Sequence, residues 1–132
     1  MEFETQELYS DKKIKSKDIF LNHNFYILNI WSSWCKPCVE EHPKLISLSQ
    51  NSSAKLIGIN YKDNPKNAKN FINNMGNPYS LIITDVDGTI SIELGAYGVP
   101  ETFLINKKNE IIMKFVGPLT DETLSEINKI IK

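Results

Sequence analysis

The chain has 132 residues, 41% of them hydrophobic, and a formal net charge of −1. A chain of this length can bury one core of useful size, so we expect a single domain over residues 21–132, preceded by an arm over residues 1–20. Every one of the 15 basic residues is a lysine. Because the bidentate phosphate and guanine contacts that arginine favours are missing, the sequence indicates no nucleic-acid partner.

No stretch of the sequence approaches the roughly 18 apolar residues of a membrane-spanning helix, and the first residues lack the regions of a signal peptide. The chain as written is therefore expected to be soluble, or to be a mature fragment whose anchor is absent or removed. The two cysteines do not decide the compartment, because a CxxC pair occurs on both sides of membranes.

The predicted elements alternate between apolar strands and amphipathic helices after a weakly patterned start. A short helix or strand is expected between Ile14 and Phe20, and residues 25–31 form an aromatic, β-branched run that suits a strand buried on both faces. The remaining predictions are a helix over 36–50, a strand over 55–61, a helix over 65–75, a short strand over 81–83, a hairpin over 102–106 and 110–115, and a helix from Thr120. This order predicts an α/β fold with a mixed central sheet and helices on both faces.

Both cysteines lie in Trp34-Cys35-Lys36-Pro37-Cys38, at the start of the first long helix. A bridge between residues so close in sequence restricts the unfolded chain very little, which argues against a structural disulfide, and the position at a helix start argues against inert thiols. At a helix N-terminus the unpaired N–H groups and the helix dipole stabilise a thiolate, and Lys36 adds a cation. The pair is therefore predicted to be redox-active, with Cys35 attacking and Cys38, one turn inside the helix, resolving.

Two metal sites can be considered from residue types alone. Cys35 and Cys38 with His42 and His23 add up to four zinc ligands, but the usual downstream histidine pair is missing. The segment 85–89, DVDGT, contains calcium-loop residues, yet the surrounding positions do not supply the ligands that such a loop needs. We therefore expect neither a metal nor another cofactor.

The motif around Cys35 closely resembles the WCxPC of the thioredoxin superfamily. Pro43 falls where that family kinks its active-site helix, and Val99-Pro100 falls where it carries a cis-proline. Within the superfamily the chain is similar to the DsbE/CcmG family, and the resemblance covers roughly residues 25–118. The similar segments are LNIWSSWCKPCVEEHP (28–43), GINYKD (58–63), GNPYSL (76–81), DVDGT (85–89) and GAYGVPETFLI (95–105).

The resemblance implies a thioredoxin-like fold with a central insertion of the family's type, and a reductant in periplasmic cytochrome c maturation. Its substrate would be the disulfide in the CxxCH of an apocytochrome c, or in the haem-ligation chaperone that holds it. Electrons would come from a membrane thiol-disulfide carrier of the DsbD/CcdA kind. Such proteins are normally tethered to the inner membrane by an N-terminal helix, and we expect no such helix within this chain. We also expect a monomer.

The resemblance also implies a substrate groove beside the cysteines. Pro100 and Val99 would form the ledge on which an extended peptide lies, pairing with the Val99 backbone by strand addition. Glu101 would line the same groove, and Trp34 would cover the disulfide, whereas Trp31 is expected in the core. The alternatives are an ordinary turn at Pro100 and a plain surface charge at Glu101.

One departure from thioredoxin changes the expected proton chemistry. Thioredoxins carry a buried aspartate six residues before the first cysteine, and here that position is Asn29, which cannot titrate. Glu41 lies three residues beyond Cys38 on the same helix face and matches an acidic residue of the DsbE/CcmG family. We expect it to be partly buried, with a raised pKa, and to assist deprotonation of Cys38; the alternative is a solvated glutamate.

Three functions remain open at this point. The first is the dedicated reductant of cytochrome c maturation. The second is a general thioredoxin-like disulfide reductase, which broad reduction of unrelated disulfides would favour. The third is a non-catalytic adaptor that binds extended peptides through the Pro100 groove, which the intact cysteine pair argues against.

Overall fold

The computed structural model describes residues 2–21 and 23–131. A five-stranded sheet with the strand order β5-β4-β3-β6-β7 forms the centre, and a small hairpin, β1-β2, lies beside it. The elements in chain order are β1 (Glu4–Gln6), β2 (Lys13–Lys15), α1 (Ser16–Ile19), β3 (Phe25–Trp31), α2 (Lys36–Asn51), β4 (Lys55–Tyr61), α3 (Pro65–Met75), β5 (Leu81–Asp85), α4 (Thr89–Glu93), β6 (Glu101–Asn106), β7 (Ile111–Val116) and α5 (Asp121–Ile131).

The central strand β3 is parallel to β4 and antiparallel to β6, and the sheet is therefore mixed. Strand β4 continues in parallel to β5, and β6 continues antiparallel to β7. The predicted fold class is confirmed, and the predicted bounds of β3, β4 and α3 agree with those of the structure. Because β3 is the middle strand, the loop that leads from its carboxyl end to Cys35 lies near the middle of that edge of the sheet.

The two faces of the sheet carry separate cores, as the alternation along a strand requires. On one face, Ile27 and Trp31 of β3 pack with the buried residues of α2, α3 and α5, and both cysteines belong to this cluster. On the other face, Leu28 and Ile30 pack with Ile19 of α1 and with α4. Helices thus cover both faces, and the redox pair lies on the more heavily covered one.

Residues 2–20 contain the elements that pack against the edge of the central sheet. The predicted element between Ile14 and Phe20 is present as β2 and α1. The backbone N–H of Leu8 donates to the carbonyl of Ile82 in β5 at 2.9 Å. Leu8 is buried, and Glu7 forms a bridge with Ile83. The segment is therefore attached to the main sheet by backbone pairing.

The DVDGT segment ends in α4, a short helix that the sequence pattern did not predict. Gly88 adopts a φ of 80°, in the left-handed region that glycine favours, and the helix begins at the next residue. The buried Asp85 carboxylate accepts hydrogen bonds from the N–H groups of Ile90 and Ser91 and from the Ser91 hydroxyl. Asp85 thus satisfies the N-terminal donors of a helix rather than presenting its oxygens to a cation.

Candidate active site

The two cysteines form a disulfide at the N-terminus of α2. Cys35 is the N-cap residue in extended conformation, and its Sγ accepts a hydrogen bond from the N–H of Cys38 at 3.2 Å. Pro37 occupies the first turn, where its missing N–H costs nothing. Cys35 is slightly more exposed than Cys38, as expected for the attacking and the resolving sulfur.

The loop between β3 and Cys35 is anchored by the last residue of β4 and by Asp63 just after that strand. The Asp63 carboxylate accepts hydrogen bonds from the N–H and the hydroxyl of Ser33, both at 2.7 Å. The Ser32 hydroxyl donates to the carbonyl of Tyr61. Sequence reasoning quoted Asp63 only as part of GINYKD, a segment similar to the DsbE/CcmG family. In the structure, Asp63 holds the loop before Cys35 in place.

The two tryptophans have different environments, and Trp31 lies in the core, as predicted. Trp31 is buried and stacks on Tyr79 with their ring centroids 5.9 Å apart. Trp34 is 60% exposed, and its indole N–H donates to the carbonyl of Lys62. An exposed ring next to Cys35 in sequence is suited to contact a substrate, and that role stays a prediction.

The Val99-Pro100 peptide bond is cis, as the resemblance implied. Pro100 is buried, and Val99 is half-buried against the cluster that contains both cysteines. The loop therefore lies at the edge of the redox cluster. Binding of a substrate peptide along Val99 and Pro100 stays a prediction.

Glu101 has a different position from the one expected for a groove-lining residue. It is 1% exposed, and its carboxylate accepts hydrogen bonds from the N–H groups of Tyr97 and Gly98. Its other oxygen lies 3.5 Å from Nζ of Lys114, which also donates to the carbonyl of Gly95 at 2.6 Å. Glu101 thus fixes the cis-proline loop from beneath, because a strand position beside buried β3 turns its side chain inward.

Lys114 also lies over the ring of Tyr97, with Nζ 4.5 Å from the ring centroid, while Tyr97 itself is 90% exposed. Lys114→Met is expected to lower the free energy of unfolding by about 1 kcal/mol, because the buried Glu101 loses its cation. The loss is no larger because Lys114 is partly exposed to solvent. Amide hydrogen exchange should accelerate at Tyr97 and Gly98. Lys108→Met, in the turn of the β6-β7 hairpin, is the matched control, and equal exchange rates in both variants would contradict this assignment.

Glu41 is 1% exposed and therefore more completely buried than the sequence predicted. Burial raises its pKa to about 7, against the opposing effects of hydrogen bonds from the Asn29 amide and the Leu119 N–H. These donors lie 2.9 and 3.0 Å from the two carboxylate oxygens. A carboxyl group that is half ionised near neutral pH, one turn beyond Cys38 on α2, is suited to exchange a proton there.

Asn29 lies at the centre of a buried polar network. Its Nδ2 donates to Glu41 and, at 3.1 Å, to the Thr102 hydroxyl oxygen. Its Oδ1 accepts a hydrogen bond from the Tyr79 hydroxyl at 2.7 Å. Sequence reasoning identified Asn29 and Glu41 but missed Tyr79 and Thr102. The signal for Tyr79 was the aromatic hydroxyl in the GNPY segment, because a buried tyrosine hydroxyl needs a hydrogen-bond partner.

The histidines do not join the cysteines. His42 is buried, its Nε2 donates to the carbonyl of Gly76 at 2.8 Å, and burial lowers its pKa. His23 lies before β3 with its ring against Tyr26. In the described parts of the chain, no three histidine, cysteine or acidic side chains converge as metal ligands would.

A comparison with known proteins identifies the family. The Redoxin family matches residues 2–131. The chain belongs to the Redoxin family. This redoxin is 39% identical over 120 residues, 91% of its length, to probable thiol:disulfide interchange protein DsbE-2 of Pasteurella multocida. It is 36% identical over 125 residues, 95% of its length, to thiol:disulfide interchange protein DsbE of Vibrio cholerae serotype O1. The resemblance to DsbE is thereby confirmed.

The redoxin also shares its fold with StoA from Bacillus subtilis, with a TM-score of 0.73 and 29% identity over 97% of this chain and 96% of that one. The chain spans 62% of the length of the Pasteurella relative and 67% of the Vibrio relative. Within residues 2–21 and 23–131 of this redoxin, no helix has the length and hydrophobicity needed to cross a bilayer.

Proposed function

We propose that this protein is a thiol-disulfide oxidoreductase that acts as a reductant in periplasmic cytochrome c maturation. The observation that carries the proposal is the Cys35–Cys38 disulfide at the start of α2, where Sγ of Cys35 receives the N–H of Cys38. A sulfur that caps a helix is stabilised as a thiolate by the helix dipole. The relatives' names, thiol:disulfide interchange protein, support the same chemistry.

The reaction consists of two exchanges between sulfurs. In the reduced protein the Cys35 thiolate attacks one sulfur of the substrate disulfide, which forms a mixed disulfide and releases the other substrate sulfur as a thiolate. The Cys38 thiolate then attacks Sγ of Cys35 and releases the second substrate thiol. The protein is left with the Cys35–Cys38 disulfide, and two electrons have passed to the substrate.

The second exchange requires that Cys38 lose its proton, and we assign Glu41 to receive it. At neutral pH about half of the Glu41 carboxyl groups are ionised, since the pKa is raised to about 7. The pathway assignment rests on the similarity to DsbE, and its substrate would be an apocytochrome c CxxCH or its haem-ligation chaperone. A membrane carrier of the DsbD/CcdA kind would restore the thiols.

Trapping of the mixed disulfide tests the proposed chemistry. Cys38→Ala is expected to hold an oxidised CxxCH peptide on Cys35, because no second thiol is left to release it. Cys35→Ser should neither trap nor reduce the peptide. If Cys35→Ser kept the full reductase rate, the protein would not be a thiol-disulfide oxidoreductase of this kind.

A comparison of substrates tests the narrower assignment. The reduced protein is expected to prefer the CxxCH peptide over insulin by at least about tenfold in kcat/KM, equivalent to about 1.4 kcal/mol. Equal rates on both would favour the general reductase. Binding of extended peptides that survives in the double variant Cys35→Ser, Cys38→Ser without any reduction would favour the non-catalytic adaptor.

A further inference from the structure

The amide of Asn29 uses all of its hydrogen-bonding atoms inside the protein. Both hydrogens of Nδ2 are donated, to Glu41 and to Thr102, and Oδ1 accepts from the hydroxyl of Tyr79. All four side chains are buried. The network therefore has a direction, which runs from the Tyr79 hydroxyl through the amide to the carboxylate.

An asparagine amide can also occupy the reversed orientation, with oxygen and nitrogen exchanged. In that orientation Oδ1 would face Glu41, and the carboxyl group would need its proton in order to donate to it. The observed orientation instead presents a donor to Glu41, which suits the ionised carboxylate. The orientation of Asn29 and the ionisation of Glu41 are thus coupled.

Tyr79 is the group that selects between the two orientations. Its hydroxyl donates to Oδ1 in the observed orientation, whereas the reversed one would turn N–H toward the phenol and leave the phenol hydrogen buried without an acceptor. Thr102 does not select, because its hydroxyl can accept from Nδ2 or donate to Oδ1 equally well. The ring of Tyr79 is held in place by stacking on Trp31.

We propose that Tyr79 is a positioning residue for Glu41: its hydroxyl orients the Asn29 amide so that the carboxylate can ionise and receive the proton of Cys38. This inference rests on the proposed thiol-disulfide exchange for its catalytic meaning. The coupling between Tyr79 and Glu41 itself exists without substrate.

Tyr79 is the titratable group coupled to Glu41 within the network; burial and the charge of Glu41 raise the pKa of its phenol, so the hydroxyl keeps its hydrogen near pH 7. Cys38 and His42 are the titratable neighbours of Glu41 along α2. In the oxidised protein Cys38 is part of the disulfide and does not titrate. His42 directs Nε2 at the carbonyl of Gly76, and its lowered pKa keeps it neutral near pH 7. Strands β3 and β6 contribute Asn29 and Thr102, and the loop before α5 contributes the Leu119 backbone, none of which titrates.

The test is a ¹³C NMR titration of the Glu41 carboxyl carbon in the oxidised protein. The wild-type midpoint is expected near pH 7. Tyr79→Phe keeps the ring and removes the hydroxyl, so the midpoint should rise by about one pH unit. Thr102→Val should move it much less, and Tyr26→Phe, a buried tyrosine on the opposite face of the sheet, should leave it unchanged.

A second modification guards against a variant that fails to fold. Replacement of Tyr79 by 3-fluorotyrosine preserves the shape of the side chain and makes the phenol a stronger donor, so the Glu41 midpoint should move to lower pH. An unchanged midpoint in both Tyr79 variants, or an equal shift in Thr102→Val, would overturn the positioning role.

Kinetics separate this inference from the proposed function. In Tyr79→Phe the pH profile of mixed-disulfide resolution should move to higher pH by about one unit while its plateau is retained. A lower plateau with an unmoved midpoint would indicate a structural role and contradict the inference, although thiol-disulfide exchange would stand. Full reductase activity in Cys35→Ser would refute the proposed function and leave the NMR result intact.

Discussion

The free energy of unfolding of the oxidised protein is expected to fall by roughly 3 kcal/mol between pH 4.5 and about 7 through Glu41 alone. In the folded protein the carboxyl group keeps its proton up to about pH 7, whereas in the unfolded chain it loses the proton near 4.5. Between these values the folded state binds more protons, so stability decreases as pH rises. Below pH 4.5 and above about pH 7, Glu41 makes no contribution to the pH dependence of the free energy of unfolding.

Urea unfolding of the wild-type protein and of Glu41→Gln over this pH range provides the measurement. Glutamine has the shape of the protonated acid and does not titrate, so the free energy of unfolding of the variant should not show this decrease with pH. His42 acts in the opposite sense just below pH 6.5, because burial lowers its pKa. Its contribution cancels in the difference between the two proteins. A difference curve that is flat with pH would contradict the raised pKa of the buried Glu41.

Gly58→Ala is expected to destabilise the protein by about 2 to 3 kcal/mol, because it would overfill the space beside the polar network. A Cβ atom at Gly58 would lie 2.8 Å from Nε1 of Trp31 and 2.9 Å from Cγ of Tyr79. Both rings are buried and stacked on each other, so neither can move alone. The substitution therefore has to displace the pair.

Gly98→Ala is the matched control, since a Cβ atom there would meet no heavy atom within 4 Å. Its effect on the urea midpoint should be small, within about 0.5 kcal/mol. Near-UV circular dichroism should change in Gly58→Ala, as Trp31 shifts, and stay constant in Gly98→Ala. Equal stabilities of the two variants would show that the Trp31 and Tyr79 rings are not closely packed against β4.

The main elements of the fold were predictable because their signals are local. The run 25–31 is uniformly apolar, and Pro65 with Asn64 before it marks a helix start, where the Asn64 side chain accepts the N–H groups of Lys66 and Asn67. Helix α4 was not predictable in this way. It has five residues and depends on Asp85, a capping carboxylate that lies outside the helix.

The candidate site was predictable in its chemistry and not in its packing. Cys35, Cys38 and Glu41 follow from the spacing along one helix. The inward position of Glu101 and the contact from Tyr79 to Asn29 depend on the register of β6 against β3 and on a loop 50 residues away from Asn29. Short-range periodicity contains no information on such pairings, and residue type alone favours exposure for a glutamate.

The pairing of residues 7 and 8 with β5 has a consequence for the behaviour of the protein in a crowded solution. A free strand edge offers unpaired N–H and C=O groups to any other extended chain and is a common starting point for aggregation. Leu8 and Glu7 occupy part of that edge through the bond to Ile82 and the bridge to Ile83. The amino-terminal segment thus covers part of the sheet edge remote from the cis-proline loop and leaves fewer of its N–H and C=O groups open to another chain.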